Sequence, residues 1–428
     1  MVGRIVEIAD DRRHLFVHRG FMVVKDTEGE RKELGQVPLD DIAAVIANAH
    51  GLTYTNNLLV ALAERGAPFV LCGANHNAIG MLLTLDGHHV QAKRIEAQWA
   101  AALPLHKRLW AAVVKCKLEQ QAAALEAAGV PMAPLQALVG KVKSGDPENI
   151  EGQGARRYWG LLFGAEFRRD QDGDGINGLL NYGYTILRSS TARAVVAAGL
   201  HPSIGLHHSN DANAMRLVDD LMEPFRPMVD LKVWQLHQAA ESHVTPDTKR
   251  ALVRVLYDDM PTAAGVTPVM VCMQRLATSL AQVYLGERTK LDLPLPSLPL
   301  SLAGSFEADS TPPTPAHCYT MLSGYRLMWM VVMFDLPVME KAERKAATQF
   351  RNGLLDLGFE MSQFSVYMRF CTSQAQVDTL CRAVERALPQ GGKVNIFQFT
   401  DKQYERTITY HGRSKQPAQK APDQFDLF

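Results

Sequence analysis

Six cysteines among 428 residues (Cys72, Cys116, Cys272, Cys318, Cys371 and Cys381) form no CxxC pair and no spaced zinc-ligand set. That spacing argues against a disulfide framework and a thiolate zinc site. Each cysteine sits in a mostly apolar or helical stretch and reads as a buried, reduced thiol. No run approaches the ~18 apolar residues that would span a bilayer, and the N-terminus shows no signal-peptide pattern. A cytoplasmic protein with no membrane partner is expected. Net charge is missing as well, since 45 Lys and Arg cancel 45 Asp and Glu. Bulk charge therefore does not mark a nucleic-acid binder, and any contact with DNA must come from a local basic surface. What remains is a globular composition, 47% hydrophobic and 21% charged, in a chain longer than the ~250–300 residues at which one core stops growing. Two or three domains follow.

The patterning divides the chain. Residues 1–90 read as a β-rich domain: Ile5, Val6 and Ile8 open a strand, Leu15 to Val24 and Ile42 to Ile46 continue it, and Asn56-Asn57 can cap a single helix. Residues 91–302 change to alanine-rich segments with apolar residues at helical spacing, such as Leu179, Tyr182, Ile186 and Leu187, and predict an all-helical domain. Residues 303–320 are rich in Pro, Ser and Thr and read as a linker. Residues 321–413 alternate in the order β-α-β-β-α-β, which is that of a ferredoxin-like domain. Residues 414–428 are expected to be a flexible tail with the apolar end Phe425-Asp426-Leu427-Phe428. The whole is a multidomain α+β protein.

Four clusters carry chemistry: Asn149-Ile150-Glu151-Gly152, His207-His208, Asp219-Asp220, and Glu223-Pro224-Phe225-Arg226-Pro227. Asp220 and Glu223, three apart, share one face of a helix, and Pro224 predicts a bend there. Carboxylates and a neutral imidazole together suit Mg²⁺ or Mn²⁺, the nitrogen favouring Mn²⁺. The same residues also read as acids at a helix N-terminus beside a surface histidine. Asp170 to Gly175 matches the first half of a calcium loop, but position 12 is Asn181 rather than a bidentate glutamate, so a solvated turn is favoured. The pairs Arg12-Arg13, Arg168-Arg169 and Lys249-Arg250 read as solvated surface. Arg156 and Arg157, one helical turn from Glu151, can reach a bound phosphate. Asp335, at the end of an apolar strand, reads either as a cap or as a ligand in a symmetric dimer.

These motifs carry a resemblance. The run from Asn149-Ile150-Glu151-Gly152 through Leu180-Asn181-Tyr182-Gly183-Tyr184, Gly205-Leu206-His207-His208 and Asp220-Leu221-Met222-Glu223-Pro224-Phe225-Arg226-Pro227 resembles the CRISPR-associated spacer-acquisition integrase of type II-like systems. The likeness covers roughly residues 1–300. From Met321, the segments Met330 to Pro337, Gly358-Phe359-Glu360 and Gln363 to Tyr367 resemble its partner subunit, CRISPR-associated protein two. The two are usually separate chains. The resemblance implies Glu151, His208 and Glu223 as catalytic metal ligands for Mg²⁺ or Mn²⁺, with Asp220 and His207 beside them and the roles of the two histidines open. Arg156, Arg157 and Arg226 are the implied phosphate-positioning residues, and Asp335 an acid of the partner domain.

The implied activity is the joining of 3′-hydroxyl ends of short DNA fragments into a CRISPR repeat by transesterification. A metal-dependent nuclease on branched DNA and a non-enzymatic DNA-bending scaffold are the alternatives. Double-stranded DNA and other CRISPR proteins are the implied partners. The assembly expected on DNA is a tetramer of fused chains, with two C-terminal domains placed centrally.

Overall fold

A computed structural model describes residues 3–28, 32–73, 78–263, 265–296, 328–371, 374–404, 406–411, 414–416 and 425–428. The expected linker, Met321 and Cys318 lie outside the described residues.

The N-terminal part is built from β1 (Arg4–Ile8), β2 (Arg13–His18), β3 (Phe21–Asp26), β4 (Glu33–Pro38), β5 (Ile42–Ala47) and β6 (Thr53–Tyr54). Helix α1 (Asn56–Glu64), β7 (Phe69–Cys72) and β8 (Ala78–Leu82) follow. Strands β1 and β5 are buried along their whole length and pair in parallel, with β7 parallel to β5. The uninterrupted apolar run of β5 suits a parallel strand covered on both faces, whereas β1 carries Arg4 and Glu7, each answered by an opposite charge at Asp426 and Lys249. Strands β2, β3 and β4 form an antiparallel sheet with β6 at its edge. Val6, Ile8, Leu15, Met22, Leu58 and Leu62 belong to one buried core. Thr55 caps α1 by accepting the Leu58 N–H; Asn56 and Asn57, the expected caps, are already helical.

The central part carries α2 (Gln91–Trp99), α3 (Leu103–Ala127), α4 (Ala133–Val139), α5 (Ile150–Phe163), α6 (Ile176–Ala197) and α7 (Arg216–Met222). A 3-10 turn at Glu223–Phe225 leads into α8 (Arg226–Gln238), and α9 (Pro246–Arg254) follows. Pro224 lacks an N–H to continue α7, and Pro227 lies in the first turn of α8, where that lack does no harm. The expectation of an all-helical domain needs correcting. Strands β9 (Asp259–Thr262) and β10 (Gly265–Pro268) form an antiparallel hairpin before α10 (Val269–Tyr284). Thr262, Val266 and Thr267 are β-branched, and Gly265 turns the chain at φ +104°, a conformation open to glycine.

The C-terminal part runs β11 (Met328–Asp335), α11 (Lys341–Asp356), β12 (Glu360–Gln363), β13 (Val366–Cys371), α12 (Gln374–Arg386) and β14 (Lys393–Thr400). Its sheet order is β12-β13-β11-β14, the order of a split β-α-β unit. Met330, Val332 and Phe334 share a core with Phe350, Leu354 and Leu380 of the two helices. On the other face Trp329 stacks on Tyr404 with ring centroids 4.3 Å apart.

This unit docks on the N-terminal part. Arg369, 1% exposed, lies 3.1 Å from Asp41 Oδ1, which also accepts from Gln376 Nε2 at 3.0 Å. At Gly20 an added Cβ would stand 2.3 Å from the Asp356 carbonyl oxygen, so glycine permits the approach.

The expected flexible tail is corrected at 414–416 and 425–428, while residues 417–424 lie outside the described residues. After α13 (Asp401–Tyr404), strands β15 (Thr409–His411) and β16 (Ser414–Gln416) pair with each other. Strand β17 (Phe425–Leu427) joins the N-terminal sheet parallel to β1. The Phe428 carbonyl accepts from Ala9 N–H at 2.6 Å and Asp10 N–H at 3.1 Å. Asp426 pairs with Arg4 at 2.6 Å, and the Phe428 ring fills the space where Gly35 has no side chain. The edge of β1 offers unpaired backbone groups, and Phe425-Asp426-Leu427-Phe428 satisfies them. Among the described cysteines none is bonded to another, and burial pushes the Cys72 and Cys371 thiols up to about 12.

Candidate active site

Local sequence frees Glu151 to act at a distance. Asn149, in the left-handed region at φ +51°, caps α5 by accepting the Gly152 N–H at 3.0 Å. The Asp146 carboxylate accepts both the Ile150 and Glu151 N–H groups at 2.9 Å. The first-turn donors are thus satisfied by others, and the Glu151 carboxylate turns instead to Lys117 of α3, with which it is ion-paired. Lys117 Nζ also lies 2.5 Å from Glu223 Oε2. One ammonium, on a side chain 8% exposed, therefore joins carboxylates from α5 and the 3-10 turn.

The rest of the charge set is close by. Arg226 Nε stands 3.1 Å from Glu223 Oε1, and its guanidinium lies 4.8 Å from the Tyr184 ring centroid. Burial raises the Glu223 pKa, but Arg226 and Lys117 outweigh it and hold the carboxyl below its ordinary value. Burial opposes the Lys117 charge, and Glu223 and Glu151 overcome it, so the ammonium persists. Behind this pair, Tyr184 OH donates to the buried Asp230, whose carboxyl burial pushes up to about 7.

His208 hangs on Asp220. The aspartate is fully buried and takes the His208 Nδ1–H at 2.6 Å, together with the backbone N–H groups of Leu206 at 2.6 Å and His207 at 3.2 Å. A Cβ on Gly205 would meet Asp220 Oδ2 at 2.8 Å, so the loop closes around the carboxylate only with glycine there. With Nδ1 tied to a carboxylate, Nε2 is the nitrogen left to bind. The hydrogen bond to Asp220 raises the His208 pKa against the opposing effect of burial. His207 instead stacks flat on Trp110, with centroids 4.5 Å apart and planes at 2°. This geometry favours His208 over His207.

The sequence-predicted residues separate accordingly. Glu151 and Glu223 meet through a lysine that the sequence reading missed. Among the described residues no three His, Cys, Asp or Glu side chains close on one point, so three ligands already converged is not what the structure shows. Asp220 and Glu223, expected on one face, serve different partners, and Asp219 pairs with Arg188 at 2.8 Å. Arg226 is engaged by Glu223, whereas Arg156 and Arg157 are exposed on α5. Asp335 lies exposed at the end of β11, opposite Lys393 in register. Lys249, expected on the surface, is buried against Glu7 at 2.6 Å. Lys117 did leave a signal: it recurs at helical spacing with Trp110, Val113 and Val114, and a lysine in a buried stripe needs an acidic partner.

The donor set fits a hard divalent cation in kind. Two carboxylates already face one shared positive charge, and a histidine beside them keeps Nε2 available. Glu223 is held by Lys117 at Oε2 and by Arg226 at Oε1, so a cation at this carboxylate would share it with, or replace, the ammonium.

Comparison with known proteins places these parts. The family model "CRISPR associated protein Cas1" matches residues 7–253, and "CRISPR associated protein Cas2" matches residues 328–407. A CRISPR-associated endonuclease Cas1 from Neisseria meningitidis is 34% identical over 266 residues, covering 61% of this chain and 87% of that protein. A CRISPR-associated endoribonuclease Cas2 from Paracidovorax avenae is 85% identical over 108 residues, 25% of this chain and 100% of that protein. Among solved structures, a casposase bound to integration product shares the fold with a TM-score of 0.57 at 19% identity, over 73% of this chain and 96% of that one. A Cas1 protein from Thermotoga maritima does so with a TM-score of 0.55 at 15% identity, over 66% and 98%.

Proposed function

This chain belongs to the CRISPR-associated Cas1 family and carries a Cas2 unit in the same polypeptide, and on that premise we propose that it is a DNA integrase of CRISPR adaptation. It joins the 3′-hydroxyl ends of short DNA fragments into a CRISPR repeat. The observation that carries this reading is the pair of carboxylates, Glu151 and Glu223, facing one shared cation beside a histidine anchored through Nδ1.

In the proposed reaction the fragment's 3′-oxygen forms a bond to a phosphorus at the repeat edge, and the bond from that phosphorus to the repeat's own 3′-oxygen breaks. The proton of the attacking hydroxyl ends on the departing 3′-oxygen, and the number of phosphodiesters is unchanged. Glu151, Glu223 and Nε2 of His208 are the residues that would hold Mg²⁺ or Mn²⁺. When bound, the ion supplies charge stabilisation at the five-coordinate phosphate and the leaving oxygen. Asp220 keeps His208 in the tautomer that presents Nε2. Arg226 keeps Glu223 ionised and in place, while exposed Arg156 and Arg157 receive backbone phosphates. The C-terminal unit acts as a scaffold for the duplex.

Hydrolysis at the same site is the second reading, favoured by the word endonuclease in the name of the Neisseria meningitidis relative; water then replaces the 3′-hydroxyl. A repeat-bearing plasmid incubated with labelled fragment and Mn²⁺ separates the readings. Joined product, lost on chelation and in Glu223→Ala, is expected. Cut but unjoined plasmid would favour the nuclease, and binding without either product would favour a scaffold alone.

A further inference from the structure

Lys117 is not accounted for by the reaction above. It reaches from α3 to two carboxylates on separate elements, and both Lys117 and Glu223 are almost wholly shielded from solvent. The two glutamates differ in what else holds them. Glu223 keeps Arg226 as a second cation at 3.1 Å. Glu151 is the more open of the pair, with a side chain 28% exposed. An ammonium between two carboxylates occupies the region a divalent ion needs, because both require the same oxygens and like charges repel at such separations.

We infer that Lys117 is the resident counter-ion of this site, which holds Glu151 and Glu223 together without metal and must release Glu151 before a divalent cation can be held. The inference rests on the reading that these two carboxylates take the metal. Metal loading is then a competition that the lysine resists. The released ammonium keeps Glu223 as its remaining carboxylate partner, and that carboxylate is shared with Arg226.

The test uses the full chain and Mn²⁺ alone as probe, with binding measured by calorimetry and electron paramagnetic resonance, and with metal-free thermal melting. Lys117→Met removes the charge while keeping the length of the side chain. The expected result is Mn²⁺ binding at least tenfold tighter than the native protein, a lower metal-free Tm, and a larger Tm rise on adding Mn²⁺. If Lys117→Met does not fold, Lys117→Gln takes its place with the same expected direction. Equal or weaker Mn²⁺ binding by the folded lysine variant, with binding lost in Glu151→Gln, overturns the inference and leaves the metal reading standing. Unchanged Mn²⁺ binding in both Glu151→Gln and Glu223→Gln sinks the metal reading, and the inference with it.

Discussion

Glu7 is the sharpest place to test how the N-terminal sheets are held to the helical part. It lies on β1, fully buried, and accepts from Tyr182 OH at 2.7 Å on α6, Lys249 Nζ at 2.6 Å on α9 and Asn48 Nδ2 at 2.7 Å. Glu7→Gln preserves shape and most hydrogen bonds but leaves the Lys249 ammonium buried without its counter-charge. Removing one partner of a buried ion pair costs about 3–5 kcal/mol. On a folding unit of this size that is roughly 10 °C in Tm. Lys249→Met should cost a comparable amount by stranding Glu7. The double variant Glu7→Gln/Lys249→Met removes both charges, so its loss should fall short of the sum of the singles by about 1–3 kcal/mol of coupling. Urea titration and thermal melting of the four proteins complete the cycle. A Glu7→Gln protein within ~1 kcal/mol of the native one, or singles that add without coupling, would refute the idea that this pair locks the two parts.

Asp220→Asn should lower the joining rate about 10–100-fold, the usual effect of removing a residue that orients a ligand. It also weakens the interaction that raises the His208 pKa; since only neutral imidazole can bind a cation, the acid limb of the rate–pH profile should move to lower pH, and an unmoved limb counts against the His208 assignment. Deleting residues 425–428 should speed hydrogen exchange at the Ala9 and Asp10 amides, which lose the Phe428 carbonyl; unchanged exchange at both would show that β17 does not cover β1 in solution. Asp335→Ala should leave joining intact, and its loss with DNA binding preserved would make that carboxylate catalytic. Mass measurement of the DNA-bound protein should give four chains, with two C-terminal units placed centrally by reconstruction, and an active dimer would rule that assembly out.

Much was legible locally. Residues within one turn or one strand see each other through period alone, so the break at Glu223-Pro224 and the run of β11 followed from neighbours in sequence. The family motifs marked Glu151, His208 and Glu223 for the same reason: they lie in short, dense strings. Tertiary structure alone decided which charges answer which. Lys117 meets Glu151 across 34 residues, Lys249 meets Glu7 across 242, and Asp426 meets Arg4 across 422. At such separations the local pattern can mark a lysine as lying in an apolar stripe, as at Lys117, but not which distant acid answers it. The same holds for the strand at Phe425–Leu427: three residues carry too little periodicity to be read as a strand. Only the open edge of β1, brought beside them by folding, supplies the hydrogen bonds that make them one.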